Sequence, residues 1–99
     1  MRILWAGPAL RELEEALDYI ARDDPGASDR LGHKLHAAVG RLARFPDLGR
    51  MVPEVEDPTL REIIEPPFRV MYERHEEVVR ILAVLRAERD PDLGEIQGR

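Results

Sequence analysis

Hydrophobic positions recur every three or four residues through the first half of the chain and every second residue after Leu60, which predicts helices first and strands later. Leu10, Leu13, Leu17 and Ile20, joined by Ala16 and Ala21, share one side of a helical wheel, with Arg11, Glu12, Glu14, Glu15 and Asp18 mostly elsewhere. That is an amphipathic helix of about four turns. Ahead of it Ile3, Leu4 and Trp5 form a short apolar run ending at Gly7-Pro8. This reads as a strand feeding directly into the helix, with Pro8 at the first helical position, where its missing N–H is harmless.

Asp23-Asp24-Pro25 stops this helix and starts another: the Asp24 carboxylate can accept from the free N–H groups of the next turn, and Pro25 fills its first position. The second stripe runs Ala27, Leu31, Leu35, Ala38, Val39, Leu42 and Phe45, until Pro46 ends it. So short a link predicts an antiparallel helical hairpin. Residues 46–58, with Pro46, Gly49, Pro53 and Pro58 among acidic residues, read as an ordered loop within one domain.

Strands over Leu60–Ile64, Phe68–Arg74 and Val78–Leu85 follow, separated by Pro66-Pro67 and by the turn His75-Glu76-Glu77. The last is nearly all apolar, which predicts a central strand covered on both faces. The expected fold class is α+β, in the order strand-helix-helix-strand-strand-strand, with the helical hairpin packed on one face of a largely antiparallel sheet. One domain is expected over residues 1–89, with 90–99 as a tail.

Side chains alternate along a strand, so Phe68, Val70 and Tyr72 are expected toward the helices, and Arg69 and Met71 away from them. With an ordinary hairpin register, Arg80, Leu82, Val84 and Arg86 share that open face. Exposed apolar side chains rimmed by cations predict a surface that a partner covers. In the plainer alternative the arginines are solvated and pair with Glu62, Glu65, Glu73 and Glu88.

Composition narrows the chemistry. With 99 residues the chain has room for one modest core and no enclosed cofactor site. Without cysteine there is no disulfide, thiolate metal site or cysteine nucleophile, and no run approaches the ~20 apolar residues of a membrane span. A net charge of −5 counts against a broad grip on nucleic acid, although of the 15 basic residues only Lys34 is not an arginine, the type suited to carboxylate or phosphate. His33 and His36 are spaced for two metal ligands but lack a third. His75 sits in a turn, where it can act as acid or base only against a bound substrate, and Tyr72 reads as a core ring. No glycine-rich phosphate loop is present, and no base lies near Ser28 or Thr59 in sequence. Neither cofactor nor metal is expected, and the expected location is the cytoplasm.

Several phrases then coincide: Trp5-Ala6 with Ala9 and Leu13; Tyr19 through Pro25; Leu42 to Pro46 with Gly49-Arg50; and Leu60-Arg61-Glu62. Phe68-Arg69-Val70-Met71-Tyr72, and Ile81 to Val84 with Arg86 and Arg89, complete the set. Together they resemble the RelE/ParE toxin superfamily over residues 3–89. The resemblance implies a toxin of a type II toxin-antitoxin module, held inactive in a hetero-oligomer by a cognate antitoxin that wraps it. One branch of that superfamily cleaves mRNA on the ribosome, with basic side chains stabilising the transition state. The other poisons DNA gyrase by binding it.

Arg69 matches the arginine of the superfamily's strand motif, which in the nuclease branch contacts the substrate phosphate. Arg69, Arg86 and Arg89 are therefore the catalytic candidates if this chain is a nuclease. The lysine-rich strand of that branch is here Leu60-Arg61-Glu62-Ile63-Ile64, and the common late histidine is Arg86. The phrases from Tyr19 to Pro25 and the Gly49-Arg50 loop resemble the ParE branch. The expected function is gyrase poisoning, with ribosome-dependent mRNA cleavage as the alternative and a non-toxic binding module or co-repressor as a third. The residues expected to meet a partner are Arg61, Arg69, Met71, Arg80, Leu82, Val84 and Arg86.

Overall fold

A computed structural model describes residues 1–86 of the chain. Its elements run β1 (Arg2–Trp5), α1 (Gly7–Ala21), α2 (Pro25–Gly40), a 3₁₀ turn (Arg41–Ala43), β2 (Arg50–Met51), β3 (Leu60–Glu65), β4 (Phe68–His75) and β5 (Val78–Arg86). The α+β class and the order of elements are those expected, with the two-residue β2 as an addition inside the proline-rich loop.

Local chemistry sets the helix ends. Asp24 is the N-cap of α2, its carboxylate accepting from the Ala27 N–H at 3.1 Å, and a proline lies in the first turn of each helix. Ser28 joins the hairpin across its crossing, donating from Oγ to the Leu17 carbonyl at 2.7 Å. Ala9 and Leu13 of α1, and Leu35, Ala38 and Val39 of α2, are buried, as the stripes require. Two stripe positions differ. Leu10 is exposed at the rim of α1, and Phe45 is 56% exposed. After Gly40 the backbone tightens into the 3₁₀ turn and leaves helical geometry before Phe45 can join Leu42 inside.

The five strands take the order β1-β5-β4-β3-β2, with β1 parallel to β5 and every other pair antiparallel. The core between sheet and hairpin includes Phe68, Val70, Tyr72, Val79, Ile81 and Val84. Burying a large apolar side chain of this kind contributes about 1.5–3 kcal/mol. β5 is central, as expected, but it is not covered on both faces: Arg80 is exposed and Leu82, Ala83 and Leu85 are half-buried on the side away from the helices.

A bulge changes the phase of β5. Met71 pairs with Ala83 but Tyr72 pairs with Ile81, so Leu82 is an extra residue. Beyond it Val84 opposes Val70 and Arg86 opposes Phe68, which puts both on the helix side. Val84 is a core residue and Arg86 is half-buried there. The expected sharing of the open face by Val84 and Arg86 is thus corrected, because it assumed an unbroken ladder. Ala83 and Leu85 take those places. The Val84 N–H donates to Glu12 Oε1 at 2.9 Å, tying the irregular strand to α1.

Candidate functional site

Between the 3₁₀ turn and β3 the chain passes from the helix side of the sheet to the open side, and the polar chemistry of the fold is concentrated along this crossing. Arg69 faces away from the helices, opposite Ile64 on β3 and Leu85 on β5, as strand alternation requires. It is nevertheless only 1% exposed. Its Nη2 donates to Glu54 Oε1 at 2.6 Å and its Nε donates to Glu62 Oε1. The second oxygen of Glu62 accepts from Arg50 Nε at 2.6 Å.

Glu62 opposes Met71, diagonal to Arg69 on the same face, and is itself buried. Glu54 arrives from the loop after β2, whose Val52 is also buried, so this loop lies over the arginine. Burial by itself lowers the Arg69 pKa, but the hydrogen bonds and charges of Glu54 and Glu62 outweigh it and the net shift is upward. The guanidinium stays charged and paired. Arg69 is therefore on the expected face but is not the exposed cation expected there. The loop that hides it carries no periodic pattern that could have announced the contact.

On the helix side the same edge is built around Tyr72, which is fully buried. Its hydroxyl donates to the Pro46 carbonyl at 2.8 Å and accepts from the Gly49 N–H at 2.9 Å. Burial raises its pKa, with the Gly49 N–H and the Arg61 charge opposing in part, so the phenol remains protonated and serves as a tether. Gly49 has no room for a side chain: a Cβ there would lie 2.5 Å from the Glu62 carbonyl oxygen and 2.8 Å from the Tyr72 ring. Arg61 opposes Tyr72, so it too points to the helix side, and its Nη1 donates to the Gly49 carbonyl at 2.8 Å. Arg61, expected among the partner-meeting residues, thus stands on the other side of the sheet from Met71, Arg80 and Leu82.

What the open face does present is Leu4 and Ile64, 38% and 46% exposed, with half-buried Met71, Leu82, Ala83 and Leu85 and the exposed Arg80. Of the seven residues expected to meet a partner, Met71, Arg80 and Leu82 are brought together here. Leu4 and Ile64 were legible by alternation, since each flanks a core position on its own strand. Arg69 and Arg86, two of the three nuclease candidates, lie on opposite faces of the sheet. Arg89, and Glu88 among the possible carboxylate partners, fall outside the described residues.

His33, His36 and His75 are all exposed. Among the described residues no group of His, Asp or Glu side chains is placed to hold a metal ion, and no helix is long and apolar enough to cross a membrane.

The sequence model of a family described as the ParE toxin of the type II toxin-antitoxin system parDE matches residues 3–91. Toxin RelE2 of Caulobacter vibrioides is 32% identical over 89 residues, which cover 89% of this chain and 97% of the relative. The Y4kP protein of Sinorhizobium fredii is 36% identical over 88 residues, covering 87% of this chain and 88% of its own. Among solved structures, a chain of a chromosomal ParDE toxin-antitoxin system from P. aeruginosa shares the fold at a TM-score of 0.73 and 21% identity, over 87% of this chain and 95% of that one.

Proposed function

The chain belongs to the ParE toxin family of type II toxin-antitoxin systems, and from that premise we propose that it arrests bacterial growth in the cytoplasm by binding and poisoning DNA gyrase. A cognate antitoxin silences it by laying an apolar segment across the open face, over Leu4, Met71, Leu82 and Leu85 beside Arg80.

The observation that favours gyrase over RNA is the state of Arg69. Cleaving a phosphodiester calls for a cation turned toward the charge that develops on the phosphate. Here Glu54 and Glu62 already neutralise the guanidinium beneath a loop, and Arg86 is on the other face of the sheet. Poisoning a folded protein by binding needs no such group, and a net charge of −5 does not suit a grip on ribosomal RNA.

The test is to induce the chain in bacteria, alone and then with the adjacent short reading frame, while plasmid topology and the ends of translated messages are read in parallel. Growth arrest with loss of negative supercoiling, relieved by the neighbouring gene product, is the expected result. Cut messages with normal topology would overturn the gyrase target, and normal growth at confirmed soluble expression would overturn the toxin.

A further inference from the structure

The loop from Arg44 to Arg50 holds Phe45 and Leu48 out in water at 56% and 54% exposure, among the most exposed large apolar side chains of the described residues. Its backbone is fixed from below. Tyr72 bonds the Pro46 carbonyl and the Gly49 N–H, Arg61 bonds the Gly49 carbonyl, and the Asp47 carboxylate accepts from Arg74 at 2.8 Å. The closed space at Gly49 removes further freedom. A loop so held loses little conformational entropy on binding, which is how a preorganised surface gains affinity.

Its charge also departs from the rest of the chain. The Arg44 guanidinium lies 5.8 Å from the centroid of the Phe45 ring, and Arg41 is exposed one turn earlier. This cationic rim stands on a chain of net charge −5, and Asp47, the carboxylate within the loop, is engaged by Arg74 and lies 3.7 Å from Arg61.

We propose that this loop is the surface that grips the toxin's protein target, inserting Phe45 and Leu48 into an apolar cleft of a folded protein whose rim is acidic. The inference rests on the toxin reading above and names the part of the chain that does the poisoning. A loop whose backbone is fixed before contact suits a site that is also preformed. Aromatic and arginine side chains at the centre of such a contact carry a disproportionate share of binding energy. Nucleic acid is a poor occupant for a chain whose net charge is −5. Held by Tyr72 and Arg61, the loop stands on the helix side of the sheet, apart from the apolar strip on the open face, so contacts with target and antitoxin are separable.

The test uses the full chain carrying Phe45→Ala with Leu48→Ala, and separately Arg44→Glu. These side chains are exposed, so thermal unfolding and capture by the neighbouring gene product should match the parent. Growth arrest and inhibition of purified gyrase should each weaken by about tenfold or more, with Phe45→Tyr restoring most of the loss. Full retention of arrest overturns the proposal. So does loss of antitoxin capture alongside arrest, a lowered unfolding midpoint that accounts for the loss, or RNA binding abolished by the same substitutions. If the parent arrests growth without touching gyrase and the double variant relieves the arrest, the loop assignment stands and the gyrase reading falls. If the parent causes no arrest, both fall.

Discussion

Arg69 on β4 donates to Glu62 on β3 across the face of the sheet that carries no helices, and neither residue is more than 1% exposed. Breaking a buried pair from one side leaves a charge without compensation, which is far more damaging than never having built the pair. Arg69→Ala is expected to lower stability by about 3–5 kcal/mol in denaturant unfolding. Arg69→Lys recovers only part of this, because a lysine ammonium cannot reproduce the planar fork that meets two carboxylates. A change under about 0.5 kcal/mol, the range of an ordinary surface site, would show a solvated arginine instead. Loss of toxicity in Arg69→Ala therefore says nothing about catalysis unless the fold is measured alongside.

Tyr72 links stability to alkaline pH. Its folded-state pKa is raised by burial, so the fold favours the protonated phenol. The associated stability is fully present below the ordinary tyrosine pKa of about 10 and is lost as pH climbs through the higher folded value. Tyr72→Phe should remove that alkaline decline. At neutral pH the same change leaves the Gly49 N–H and the Pro46 carbonyl without their partner, for a loss of about 1–3 kcal/mol. Urea titrations across the two pH ranges check both effects, and an unchanged alkaline profile would refute the linkage.

Glu12 satisfies an N–H beside the β5 bulge. Glu12→Ala should cost about 1–2 kcal/mol and speed amide exchange at Val84, while Glu12→Gln, which keeps an acceptor oxygen, should stay close to the parent. Equal exchange in all three proteins would show that the contact contributes nothing.

In the β4–β5 turn, Glu76 has φ 54°, a left-handed conformation that a side chain with Cβ adopts at a cost. Glu76→Gly removes that strain, less the extra flexibility glycine gives the unfolded chain, for an expected gain of about 0.5–1 kcal/mol and a few degrees in the thermal midpoint. A lowered midpoint would contradict it.

These residues also mark where the sequence could be read and where it could not. Phe68, Val70 and Tyr72 announced a core face by strict alternation, and Asp24-Pro25 announced a helix start by local chemistry, so both were legible. Val84 and Arg86 were placed on the wrong face because one bulge residue, Leu82, shifts the phase without leaving a mark in composition. Arg69 was assigned its face correctly but its burial was not visible, since it depends on Glu54 from a loop with no periodicity of its own. Phe45 continued the helical stripe in sequence, while the backbone had already turned aside. Resemblance supplied the family, which neither pattern nor charge alone would have given.

The most direct measurement is the supercoiling activity of purified gyrase titrated with this chain after its release from the antitoxin. The predicted result is dose-dependent inhibition with accumulation of cleaved DNA complexes, reversed when the antitoxin is added back. Undisturbed supercoiling by gyrase in the presence of a folded chain that cuts translated messages would contradict it.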